Sequence, residues 1–356
     1  MSRWPDSRLT DLLGTEHPIL QAPMAGAAGV ELAIAVARAG GLGALPCAML
    51  GADAIRDAVA QFRAAGPWPI NLNFFCHVPP VPDAEREARW RQALAPYYAE
   101  LGVAPDAPAG GASRTPFDAA QCALVEALRP QVVSFHFGLP EPDLLERVKR
   151  SGARVLSSAT TVAEARWLAE RGCDAVIAMG SEAGGHRGMF LSDDVATQVG
   201  TFALVPQVVD AVEVPVIAAG GIGDARGIQA ALALGAAGVQ IGTAYLFTPE
   251  ARISSVHREA LAAAGETAIT NVFTGRPARG IANRLVRELG PLAAAAPAFP
   301  LAGGALAPLR AAAEARGVAG DFVNLWSGQA AALGRVLPAE ELTRGLAAET
   351  LQRLSR

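Results

Sequence analysis

Three glycine-bearing stretches hold the residues best suited to chemistry. SEAGGHRG (181–188) sets Glu182, His186 and Arg187 among glycines, and histidine is the usual proton acceptor near neutral pH. His186 is therefore the best acid–base group in the chain. AAGGIGDARG (218–227) places Gly220, Gly221 and Gly223 before Asp224, and VQIGTA (239–244) follows with Gly242 and Thr243. Glycines let backbone N–H groups approach phosphate oxygens, and a helix N-terminus adds partial positive charge. The string GIGDARG lacks dinucleotide-fingerprint spacing, and no G-K-[ST] of a P-loop occurs.

Two further stretches suit a flat ring. QAPMAG (21–26) offers a Pro-Met turn, and NLNFF (71–75) offers the in-plane amide of Asn73. A phosphate loop, a flat polar-edged cradle and one histidine suggest a phosphorylated planar cofactor, FMN ahead of pyridoxal phosphate. Pyridoxal phosphate enzymes need a Schiff-base lysine, and the only lysine, Lys149, stands in the polar helix-like run EPDLLERVKR. Among the other histidines, His136 lies mid-strand with a packed role favoured, His77 opens an insertion, and His257 reads as part of a solvated helix. Met24 and Phe75, taken singly, read as ordinary core.

These stretches need elements to hold them. Apolar runs at 19–23, 41–46, 70–75, 132–138, 154–159, 175–180, 214–221 and 238–246 read as eight strands, with helices such as 30–39, 161–171 and 224–234 between them. Most runs are continuously hydrophobic, as strands covered on both faces are. Eight β-α units predict an α/β fold, a TIM (β/α)8 barrel with a smaller C-terminal accessory lobe; an open doubly wound sheet is the competitor. The barrel is expected over 1–250 with an insertion at about 76–116, a lid lobe over 251–320, and a helical segment over 321–356 that returns Trp326 and Gln329 toward the site. A barrel of this kind binds phosphate after its seventh and eighth strands and does its chemistry at the same face.

Composition narrows the class. The chain is 51% hydrophobic and carries 30 basic against 34 acidic residues, a net charge of −4, with no basic stripe. Nucleic acid is not an expected partner. No apolar run reaches the roughly 20 residues of a membrane span, and the start lacks the layout of a signal peptide, so the expected place is cytoplasmic. The four cysteines form no C-x-x-C pair and the five histidines no H-E-x-x-H, so no metal site is expected.

In order along the chain, QAPMAG, NLNFF, SFHFGLP, EAGGHRG, VIAAGGIGDARG, GVQIGTA and TNVFTGRPARGIANR resemble the nitronate monooxygenase (2-nitropropane dioxygenase) family, class I bacterial type. The resemblance runs from about residue 15 to about 330. It implies an FMN-dependent barrel that oxidises alkyl nitronates, notably propionate 3-nitronate, with O2 and without a reduced nicotinamide. By matching motif, FMN contacts fall on Ala22, Pro23, Met24, Asn73, Gly184, Gly221, Gln240, Gly242 and Thr243, and His186 takes the place of the catalytic histidine. Met179 stands where similar members carry glutamine; a thioether donates no hydrogen bond, although its backbone can still line the ring. His186, joined by His136 or Arg187, is the candidate to neutralise the anionic substrate, while Glu182 is expected to orient rather than react. Monomer and homodimer both stay open. The alternatives are an NAD(P)H-dependent FMN reductase on the same barrel and a non-catalytic flavin- or phosphoester-binding protein.

Overall fold

The computed structural model describes residues 4–108 and 114–356. Residues 1–3 of the start and 109–113 of the expected insertion lie outside that description.

Eight parallel strands build the centre: β1 Ile19–Gln21, β2 Gly43–Pro46, β3 Ile70–Phe75, β4 Val132–His136, β5 Arg154–Ala159, β6 Ala175–Met179, β8 Val216–Ala219 and β9 Gly238–Ile241. Their order is β1-β9-β8-β6-β5-β4-β3-β2. The two end strands also meet. Gln21 N–H donates to the Leu42 carbonyl and Leu42 N–H to that of Ile19, both at 3.0 Å, across a parallel bridge between Leu20 and Leu42. The sheet is thus a closed barrel, as expected, and the open-sheet alternative falls.

Successive side chains on a strand face opposite ways, and this parity sorts the barrel. Leu20, Leu42, Val132, Leu156, Ala175, Ile177, Ile217 and Ala219 form an interior cluster, closed below by Leu9 and Leu13 of the short helix Arg8–Leu13. Residues of the other parity, such as Val133, Val155, Val176 and Val239, pack outward against the helices. Following the inward parity up each strand reaches Asn73, Ser134 and His136, Ser158, Met179 and Gln240. The side chains that change from apolar to polar toward the strand ends define one mouth.

Helix Ala339–Leu354 completes the outer ring. It packs between helices Val30–Arg38 and Ala225–Ala233, and Thr343 shares a 2.8 Å hydrogen bond with the buried Tyr245 hydroxyl. The segment returning after the lobe is therefore a barrel helix.

A second core lies over the mouth. Helix Ala84–Glu100, capped by the Asp83 carboxylate on Arg86 N–H, packs against helix Ala302–Ala315. Trp90 Nε1 donates to the Ala302 carbonyl at 3.0 Å and Tyr98 hydroxyl to that of Ala305 at 2.6 Å. The insertion and the lobe thus share one hydrophobic cluster. Helix Ala302–Ala315 forms despite Gly303, Gly304 and Pro308 inside it, because tertiary packing outweighs weak propensity.

A small antiparallel sheet was not foreseen. It joins β7 Gly185–His186, β10 Thr267–Thr270 and β11 Ala278–Ile281 in the order β10-β11-β7. The expected strand over 238–246 also ends early: β9 stops at Ile241, and Thr243–Leu246 turns into a short helix.

Candidate active site

The strand ends, the β6–β8 loop and the lobe enclose one cavity of about 540 Å³, within the range of small-molecule and cofactor sites. From the first and third strand ends come Ala22, Pro23, Met24 and Asn73; from the sixth and its loop come Met179, Gly184 and His186. Gly221, Gln240, Gly242 and Thr243 close the ring, and His136 faces in from β4. Twelve of the thirteen residues expected from the sequence thus converge on one wall-to-wall site. Arg187 does not.

Arg187 is fully buried behind the loop. Its Nε donates to Gln198 at 2.9 Å, and its Nη groups donate to the carbonyls of Met179 at 2.9 Å and Ala183 at 3.4 Å. The reason is pleat parity. His186 pairs with Ala278 of β11, so if its side chain faces the cavity the next one must turn away. Arg187 holds the loop's shape and does not line the cavity. Burial lowers it to about 10.

His186 Nε2 lies 2.9 Å from Thr274 Oγ1, whose own hydrogen points to the Arg276 carbonyl at 3.4 Å. This chain of donors puts the imidazole hydrogen on Nε2 and leaves Nδ1 as a lone pair. Burial, followed by the charges of Arg114, His136, Arg276 and His77, holds His186 well below the ordinary histidine range. The ring is neutral at pH 7 and equipped to accept a proton.

His136 has both nitrogens engaged, Nε2 with the His186 carbonyl at 3.1 Å and Nδ1 with Ser158 Oγ at 3.0 Å. A carbonyl only accepts, so Nε2 carries the hydrogen and Ser158 donates to Nδ1. Burial pushes His136 down to about 4. Glu182 is committed too: its carboxylate accepts from Thr201 N–H at 2.8 and 3.0 Å and from the Thr201 hydroxyl at 2.8 Å.

The opposite wall has the features of a phosphate and ring cradle. Gly221 has φ +71°, a left-handed turn that glycine adopts without strain. The backbone N–H groups of Gly221, Ile222 and Thr243 have no acceptor among the described residues. Gln240 Oε1 is buried without a partner among the described residues, an orphan that a ligand N–H would satisfy. The C-terminal segment seals this wall: Gly328 N–H donates to Thr243 Oγ1 at 2.9 Å and Gln329 N–H to the Glu182 carbonyl at 3.0 Å. Trp326 lines the cavity as expected; Gln329 contributes only its backbone bond.

Several lining residues escaped the sequence reading. His257 is buried in helix Ser255–Ala262, with Nε2 3.0 Å from the Trp326 carbonyl, so the solvated-helix expectation is corrected. The polar neighbours HREA hid a single inward position. Arg114 and Arg310 also line the cavity, from the insertion and from helix Ala302–Ala315 of the lobe.

A closed (β/α)8 barrel with a capped, histidine-bearing mouth at its strand ends defines an enzyme architecture. The nitronate monooxygenase family model matches residues 6–349. A nitronate monooxygenase of Paraburkholderia phytofirmans is 43% identical over 98% of this chain and 96% of its own length. One from Pseudomonas aeruginosa is 42% identical over 96% and 98%. Among solved structures, nitroalkane oxidase from Streptomyces ansochromogenes superposes with TM-score 0.88 at 38% identity, covering 98% of this chain and 99% of that one. FabK from Thermotoga maritima gives 0.72 at 28%, covering 98% and 97%. The chain belongs to the nitronate monooxygenase family, a family of oxidoreductases. Among the described residues no helix is long and apolar enough to cross a membrane.

Proposed function

We propose that this protein is an FMN-dependent monooxygenase of alkyl nitronates, with propionate 3-nitronate as a preferred substrate, O2 as co-substrate, and a carbonyl product and nitrite released. The observation that carries the reading is the neutral His186 imidazole standing across one cavity from the unpartnered Gln240 Oε1 and the open glycine turns.

The residues present fit FMN. The Gly221 turn and Thr243 would hold its phosphate, Gln240 and Asn73 would meet polar ring edges, and Ala22, Pro23, Met24, Met179, Gly184 and Gly242 would line it. When bound, FMN would take electrons from the nitronate and pass them to oxygen.

The protein's own part is binding, orientation and proton handling. The nitronate is an anion, and the Arg114, Arg276 and Arg310 charges near the mouth favour it over the neutral acid. Phe75 and Trp326 give apolar walls that exclude water. When a neutral nitroalkane enters, His186 Nδ1 accepts its α-proton, and Thr274 keeps the ring oriented. His136 fixes the His186 backbone and does not itself transfer a proton, since both its nitrogens are occupied.

The family's relatives at 42–43% identity carry the nitronate activity in their names, which favours this reading over a nicotinamide-driven reductase on the same barrel. We propose a cytoplasmic location for the protein. His186→Asn tests the histidine role. Turnover of a neutral nitroalkane should fall at least about 100-fold, the usual worth of a positioned base, and turnover of preformed nitronate should fall less. Full activity of the variant on both nitroalkane and nitronate would remove His186 from the mechanism.

A further inference from the structure

Two arginines overlook the cavity with no acid to answer them. Arg114 and Arg310 both line it, and neither forms an ion pair among the described residues. The Arg114 guanidinium lies 5.2 Å over the Phe299 ring, and its buried Nε has no partner among the described residues. Arg310 gives Nε to the Phe322 carbonyl at 3.2 Å, while its buried Nη2 has none.

Burial lowers both, and the Arg114 charge lowers Arg310 further. Two like charges facing one cavity repel each other, and an anion held between them would relieve that repulsion. Arg187 shows the contrast: it is buried more deeply than either, but carbonyls and a glutamine take up its donors.

The position relative to His186 is also specific. Phe299 lies 5.3 Å from the His186 ring, so a single ring separates that imidazole from Arg114. Trp326 lies 5.4 Å from His186 and 5.6 Å from Phe273, over which Arg310 sits at 5.8 Å. A short, flexible chain anchored at His186 therefore has cations at its other end and aromatic walls between.

We propose that Arg114 and Arg310 form a subsite for a second anionic group on the substrate, a carboxylate at the end of the molecule remote from the carbon that meets His186. Arg114 Nε and Arg310 Nη2 are without partners among the described residues, and a carboxylate has two oxygens to accept guanidinium N–H groups. The inference rests on the nitronate reading and adds to it the residues that select a charged tail. The two arms come from the insertion and from the lid helix, so the subsite exists only where those elements pack together.

The test compares kcat/KM for propionate 3-nitronate with that for propyl 1-nitronate, which has the same chain length and an uncharged tail, in the FMN-loaded enzyme. In both R310Q and R114Q the ratio should fall at least about tenfold, chiefly through KM, with R310K recovering part of it. Calorimetric binding of succinate, an unreactive dianion, should weaken by a similar factor in both glutamine variants.

A ratio and a succinate affinity indifferent to both substitutions would overturn the subsite while leaving nitronate oxidation intact. Conversely, a wild-type enzyme that oxidises neither nitronate, yet binds succinate through both arginines, would overturn the nitronate reading and leave the subsite standing. Should R310Q fail to fold, R310K and R114Q decide the matter.

Discussion

The His136 imidazole donates from Nε2 to the backbone carbonyl of His186 at 3.1 Å, so one histidine of the barrel wall positions the loop that carries the other. Strand β4 is a five-residue member of the barrel and β7 is only two residues long, so the hydrogen bond ties the short element to the longer one. His136→Phe should therefore lower kcat/KM by about tenfold or more through misplacement, without introducing a new inflection in the pH profile. Steady-state kinetics over pH 5 to 9 would check both.

His186 is held well below the ordinary histidine range by burial and by the cations around it. The pH profile for a neutral nitroalkane should accordingly stay flat through 6.5 and fall only at distinctly lower pH, where the ring finally takes a proton. An inflection at 6.5 assigned to this residue would mean that its surroundings are wetter and less charged.

The same burial links stability to pH. His77 and His136 are each pushed down to about 4, so between that value and the unfolded value near 6.5 the unfolded chain binds more protons than the folded one. Their contribution is complete above 6.5 and is lost as pH falls toward 4. The melting temperature should drop by several degrees from about pH 7 to 5, and His77→Phe should flatten that decline.

Gly184 faces the C-terminal segment at close quarters: a Cβ there would lie 2.5 Å from Gly328 N and 2.6 Å from the Ser327 carbonyl carbon. Both obstacles are backbone, so relief requires the 326–330 segment to move. Gly184→Ala should cost about 1–3 kcal/mol and lower the FMN content of the purified protein, measured by chemical denaturation and by absorbance.

The barrel was legible because its strands are buried on both faces and read as apolar runs; all eight fall where those runs lie. The site was legible where glycines and a histidine follow such a run, as at Gly221, Gly242 and His186. Arg187 misled because adjacent residues on an extended segment face opposite sides, and periodicity alone does not say which one faces the cavity. His257, Arg114 and Arg310 escaped because their neighbours in sequence are polar or low in complexity, and only the packing of the lid turns them inward. The sheet of β7, β10 and β11 was hidden by strands of two to four residues with little apolar content.

The central claim is that a flavin in this cavity takes electrons directly from a nitronate. The most direct measurement is the visible spectrum of the FMN-loaded protein under anaerobic conditions, before and after propionate 3-nitronate is added with no nicotinamide present. The account predicts bleaching of the oxidised flavin bands, with the colour returning when oxygen is admitted and nitrite formed. A flavin spectrum unmoved by the nitronate but bleached by NADPH would contradict it, and so would a protein that FMN fails to occupy.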